Sequence, residues 1–339
     1  MKDDLIKNCY ISSFDIEDTS LKHLMIIGTK CLIDNKLQRN VYVDNKRLRD
    51  ELIYFNFYEN KPQYMDVLNV LLPLILSNTN IQKSEDEVLS LIQKYVKYLK
   101  RDKYLFDYIL ASVLYNSLIH NLIDNPNLEY EEILQSIKEK MIGLQIELDK
   151  ASMIKFQMAR IKAIQIIDNY IDLKICDYAE NELITNLLNV IYDIYIEDRE
   201  CLNDGILSMK KSILSILSAE ANLNIENIDF ISSMGAYITK LRKYSINKSP
   251  YNTGSDPRSL INLNQGDTIV DPILNKIQVI SKDFSNNILR ISVKSKSAIT
   301  PSFIGFMAFT LPGVLPNISW ASNPTANTFF VSSSIATTD

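Results

Sequence analysis

The sequence predicts an α+β protein, with a large all-helical N-terminal domain followed by a small β-rich C-terminal domain. Three observations predict it. Seven of the ten prolines fall after residue 249, and only Pro62, Pro73 and Pro126 precede it. Proline is costly inside helices and is confined to edges, turns and bulges in sheets. Long stretches before that point carry apolar residues at helical spacing. From 297 to 338 the chain has no Lys, Arg, Asp or Glu, a run of 42 uncharged residues. The expected organisation is a helical domain at 1–248, a linker at 249–266 and a β-rich domain at 267–339.

Each element has its own warrant. Residues 18–34, 45–57 and 64–77 read as helices. From Glu85, apolar residues recur at Val88, Leu91, Ile92, Tyr95, Val96 and Leu99, the stripe of an amphipathic helix. Ser84 before it, with Glu87 three places on, has the form of a capping box. Residues 104–122 are apolar nearly all round and should form a central, buried helix that ends at Asn125-Pro126. The stripe returns at Ile133, Ile137, Met141 and Leu144, and again at Ile154, Met158, Ile161, Ile164 and Ile171. Further helices fit 180–197, 204–221 and 225–244.

The segment around SINKSPYNTGSDPRS has turn residues and no apolar period. Short β-type runs follow at 268–270, 273–280 and 288–293, with 282–287 as a hairpin turn through Asn286-Asn287. In the last run Leu289, Ile291 and Val293 alternate with Ile288, Arg290 and Ser292, the period of a half-buried strand. The uncharged stretch contains FIGFMAFTLPGVL, too short and too broken by Gly305 and Pro312 to cross a bilayer as a helix. It reads as strands buried on both faces, as a self-association surface, or as both.

Composition excludes several classes. The chain has 339 residues, is 46% hydrophobic and 23% charged, and carries a formal net charge of -5. That is an ordinary globular balance, with no global attraction to nucleic acid or anionic membrane. The basic residues Lys94, Lys97, Lys100, Arg101 and Lys103 read as a solvated helix face beside acidic neighbours. Cys9, Cys31, Cys176 and Cys201 form no C-x-x-C pair, and are expected to be reduced, mostly buried thiols in a reducing compartment. The start MKDDLIKNCY is too polar for a signal peptide, and no apolar run has the length of a transmembrane helix.

Chemistry is sparse. The two histidines, His23 and His120, have no metal-ligand spacing; His120 reads as a core residue and His23 as a surface one. Phosphate-binding glycine loops and the nucleophile elbow are missing. Acidic residues cluster at Asp193, Glu197, Asp198 and Glu200 and at Glu129, Glu131 and Glu132. The second set suits a helix start; the first, at a helix end, is electrostatically unusual and reads as a solvated patch.

Glu17-Asp18-Thr19 resembles the acidic-acidic-Thr signature of the ADP-ribosylglycohydrolases. In that all-helical family the triplet opens a helix and ligates magnesium. The resemblance covers about 20 residues, and the family's glycine-rich opening and late D-x-D-T motif have no counterpart here. A helix cap by Asp18 or Thr19 is the favoured reading.

No catalytic, cofactor-binding or metal-binding residues are assigned, and no cofactor is expected. The expected class is a non-enzymatic structural or assembly protein that self-associates, of the kind that builds viral or phage particles. Its expected interface comprises Phe303, Ile304, Phe306, Met307, Phe309, Leu311, Val314, Trp320, Phe329 and Phe330. The expected partner is a second copy or a protein assembly, with no nucleic acid. The alternatives are a helical magnesium-dependent hydrolase and a membrane-acting protein that inserts the uncharged segment.

Overall fold

The computed structural model describes residues 2–58, 62–200, 203–246, 250, 257–271, 275–285, 288–295, 303–310, 318–319 and 328–333. Among them the protein is mostly helical, with eleven α-helices and two small sheets. The helices are α1 (Lys2–Ser12), α2 (Thr19–Lys30), α3 (Asn45–Tyr58), α4 (Asp66–Ser77), α5 (Ile81–Tyr98), α6 (Leu105–Asp124), α7 (Tyr130–Gly143), α8 (Lys150–Ile171), α9 (Leu183–Tyr195), α10 (Asp204–Ser218) and α11 (Ile228–Arg242). The strands are β1 (Leu32–Asn35), β2 (Asn40–Val43), β3 (Thr268–Asp271), β4 (Asn275–Ser285), β5 (Ile288–Ser295), β6 (Phe303–Thr310), β7 (Ile318–Ser319) and β8 (Thr328–Ser333). Contacts divide the chain into two compact units, one of residues 1–43 and 62–249, the other of 44–61 and 250–339.

The first unit is built around α4 and α6. All 12 residues of α4 are buried, as are fifteen of the 20 in α6. Helices α1, α2, α5, α10 and α11 pack on α4, while α5, α7, α8 and α9 pack on α6. A helix that is apolar all round has no solvated face to offer, so it takes the centre.

Several local expectations change. Helix α2 ends at Lys30, and the β1–β2 hairpin replaces the rest of the helix expected over 18–34. Asn35 makes the turn by accepting from the N–H groups of Leu37 and Gln38 at 3.1 and 3.0 Å. The amide of Asn78 then clamps Val41, accepting from its N–H at 2.8 Å and donating to its carbonyl at 2.9 Å. Helix α5 starts one turn before the expected cap, because Asn80 accepts from the Lys83 N–H. Ser84 instead turns inward and donates to Asn116 at 2.6 Å. Helix α1 lacked a clear sequence signal.

Helix α8 also departs from expectation. Its buried residues are Phe156, Ala163, Ile167 and Tyr170. Ile154, Met158 and Ile161, expected in the core, stand 57%, 67% and 56% exposed. The helix carries apolar residues on two opposite faces, and only one of them is covered within the unit.

The second unit contains α3 and a six-stranded sheet in the order β3-β4-β5-β6-β8-β7. Asp44 caps α3 by accepting from the N–H groups of Lys46 and Arg47, each at 3.1 Å. The sheet is antiparallel apart from the β6–β8 pair. Strand β4 runs on through Ser285, so Lys282 and Asp283 pair with Ile291 and Arg290 instead of forming the expected turn. An irregularity between Val279 and Ser281 adjusts the register. Asn286 and Asn287 lie outside the described residues.

Candidate functional site

The residues singled out in the uncharged stretch fall into two adjacent strands. Phe303, Ile304, Phe306, Met307 and Phe309 belong to β6, and Phe329 and Phe330 belong to β8. The parallel register sets Gly305 opposite Phe329, Phe306 opposite Phe330 and Met307 opposite Val331. On its other side β6 pairs with β5, setting Phe306 opposite Ser292. Leu311, Val314 and Trp320 lie outside the described residues. On β3, at the opposite edge of the sheet, Val270 is mostly exposed, as is Phe284 near the end of β4.

Asp18 is the N-cap of α2 and accepts from the Leu21 N–H at 3.1 Å. Sequence reasoning missed the residues gathered beside it. The Asp204 carboxylate accepts from the N–H groups of Glu17, at 3.0 Å, and Asp18. Asp66 accepts from the Gln63 N–H at 2.7 Å. Asn69 donates to the Gly205 carbonyl at 3.1 Å. A Cβ on Gly205 would sit 3.1 Å from Asp66 Oδ1, so glycine lets α10 approach α4 this closely. The starts of α2, α4 and α10 thus meet at three acidic side chains, each suited to the positive end of a helix.

Burial, followed by the charges of Asp18 and Asp204, pushes the Asp66 pKa up to about 6, against a bond from Gln63 that favours ionisation. The carboxylates of Asp18 and Asp204 are engaged with main-chain donors. Among the described residues no group of three or more His, Cys, Asp or Glu is placed to hold a metal. The arrangement does not fit a magnesium site.

Of the acidic residues at the end of α9, Glu197, Asp198 and Glu200 are exposed, as a solvated patch requires, but Asp193 is the centre of a buried ion network. Asp193 is buried, and its Oδ1 takes the Arg199 Nε at 2.7 Å. Its Oδ2 takes the Tyr178 hydroxyl at 2.6 Å, with Lys210 Nζ at 3.6 Å. Arg199 also donates to Asn189 Oδ1 at 2.8 Å, an atom shared with the Tyr170 hydroxyl at 2.7 Å. Its guanidinium lies over the rings of Tyr178 and Tyr192. Burial opposes the charge on Arg199, but the bond and charge of Asp193 outweigh it and raise its pKa. Two cations thus offset a carboxylate at a helix end, and the network fixes α8, α9 and α10 together. The sequence signal was the Arg199 and Lys210 that follow the acidic run.

His120 is buried on α6, and its Nε2 has no partner among the described residues. Burial, and then the charge of Arg242, lower its pKa to about 4. His23 is half-buried. Cys9 and Cys31 are buried and Cys176 is exposed, all free thiols. Arg101 leaves the expected basic face, donating to the Tyr108 hydroxyl at 3.1 Å and the Pro62 carbonyl at 2.9 Å. Among the described residues no helix is long and apolar enough to cross a membrane.

An open groove of about 700 Å³ lies where α7 passes into α8, lined by Ile142, Leu144, Ile146, Met153, Phe156 and Arg160 among others. Arg160 anchors its wall, donating to the Leu144 carbonyl at 3.0 Å.

No known protein family, curated protein or solved structure matches this chain. The site must therefore be read from its own geometry. The buried polar clusters join helices, although Asn69 Oδ1 and Asn189 Nδ2 within them have no partner among the described residues. Among the described residues, the groove and the outer face of α8 are exposed apolar surface.

Proposed function

We propose that this chain is a non-enzymatic structural or assembly protein that self-associates through its uncharged C-terminal segment. The observation that carries the reading is that the segment 297–338, free of Lys, Arg, Asp and Glu, supplies the neighbouring strands β6 and β8. Both alternating sets of residues in the β6 sequence are apolar, so such a strand calls for cover on two faces. A sheet of this size has little of its own to cover both, and apolar patches beyond a few hundred Å² mark interaction sites. A component of a viral or phage particle is the class of assembly this reading favours, with a helical unit joined to a second unit that carries α3 and the sheet.

The test is light scattering of the full chain across a dilution series, beside Phe306→Asp and Phe306→Leu. The reading expects a multimer that persists in Phe306→Leu and is lost in Phe306→Asp, because an unpaired carboxylate is costly to bury. A full chain that remains a folded monomer at high concentration contradicts it.

A further inference from the structure

The link between α7 and α8 has the form of a strand without a sheet. Leu144 is buried, Ile146 and Leu148 are half-buried, and Gln145, Glu147 and Asp149 are exposed, which is the alternation of an edge strand. Leu144 is extended, with φ -65° and ψ 122°. Its carbonyl is taken by Arg160, and the Asp149 carbonyl by the Met153 N–H. Between them, the main-chain groups of 145–148 make no hydrogen bond to the described residues. An extended segment with unpaired main-chain groups is a template for another strand. It borders the 700 Å³ groove, where Ile142 is more than half exposed, and beyond that α8 turns Ile154, Met158 and Ile161 to solvent. Each of these four apolar side chains is more than half exposed.

We propose that this edge binds a second copy of the chain, with segment 144–149 pairing antiparallel with its own counterpart about a twofold axis at Ile146. The sequence is self-complementary in that register. Leu144 falls opposite Leu148 of the second copy, Ile146 opposite Ile146, and Gln145 opposite Glu147. Apolar meets apolar, and each carboxylate faces an amide rather than another carboxylate. A twofold contact uses the same patch on both copies, so one self-complementary segment is sufficient. This segment belongs to the first unit and the C-terminal strands to the second.

The register makes an opposite-sign prediction from a single exposed position. Gln145→Glu places two carboxylates opposite each other, twice per dimer, while Gln145→Lys creates two ion pairs. Sedimentation equilibrium of the full chain at low salt is expected to show dimerisation weakened about two- to tenfold by Gln145→Glu and tightened by a similar factor by Gln145→Lys. Both shifts should shrink as salt is added. Met158→Lys is expected to weaken the dimer as well. The same series in a Phe306→Asp background separates the two interfaces. If the Gln145 variants still move in opposite directions there, the α7–α8 edge associates by itself. If both variants move association the same way, or neither moves it, the inference is overturned, whatever Phe306→Asp does to the C-terminal interface.

Discussion

Helices α6 and α8 are both long and rich in apolar residues, and they end in opposite environments. Fifteen of the 20 residues of α6 are buried, but only four of the 22 in α8. The difference lies in what interrupts the apolar residues. Between Tyr108 and Ile119, α6 carries only Ser112, Asn116 and Ser117 as fully polar residues, and each is small enough to bury. Ser112 returns its hydroxyl proton to the Tyr108 carbonyl, and Asn116 receives one from Ser84. In α8, Lys155, Arg160, Lys162 and Asp168 divide the surface, and long charged side chains keep the helix at the periphery. A peripheral helix needs one apolar face. The second face, at Ile154, Met158 and Ile161, has no cover within the unit, so it is surface available to a partner.

The largest expected effect is at the ion network that braces α8 against α9 and α10. Arg199→Met leaves the buried Asp193 with one weaker cation, and should cost about 3–5 kcal/mol in urea unfolding. A cost below about 1 kcal/mol would mean that water screens the pair. Next is the centre of α6. Leu118 is fully buried, and Leu118→Ala should cost about 2–5 kcal/mol through the cavity it leaves. A change under about 0.5 kcal/mol would remove α6 from the core and end the contrast with α8.

Two buried titrating groups in the same unit sharpen the comparison further. Asp66 has a folded pKa near 6, above its ordinary 3.8, so the fold favours its protonated form. Its ionisation opposes folding above about pH 6, and that penalty is relieved as the pH falls toward 4. His120 has a folded pKa near 4, below its ordinary 6.5, so the fold favours its neutral form. Stability linked to His120 is lost over the same acid range, and the two effects offset each other. Asp66→Asn removes only the first. It should stabilise the protein by about 1–3 kcal/mol near neutral pH, with the gain vanishing near pH 4, as read from urea midpoints against pH. A gain that does not change with pH would show that Asp66 is ionised at no cost.

The smallest expected effect is on the outer face of α8. Ile154→Ser and Met158→Ser, measured at low concentration, should change monomer stability by less than about 0.5 kcal/mol. A loss above 2 kcal/mol from either would place that face in the core.

How far the sequence could be read follows from the same contrast. The burial of α6 was legible because its apolar residues surround the helix, so no choice of face was needed. For α8 the period was correct and the face was wrong. Ile154, Met158 and Ile161 form as regular a stripe as Phe156, Ala163 and Ile167, and periodicity does not say which stripe meets the core. The β1–β2 hairpin was hidden by an apolar run continuous with α2, and the decisive partner, Asn78, is far away in sequence. The Asp18 cap was legible from local spacing, whereas the approach of Asp204 and Asp66 to it depends on how three helices meet. The acidic run at α9 was visible, but its compensation by Arg199 and Lys210 required the turn that folds them back.

The claim that exposed apolar faces on this chain are association surfaces is tested most directly by hydrogen exchange of the full chain at low and high protein concentration. The account predicts that the amides of 145–148 exchange rapidly in dilute solution and become protected as concentration rises, while α4 and α6 stay protected throughout. Exchange that is the same at both concentrations along the whole chain would contradict it.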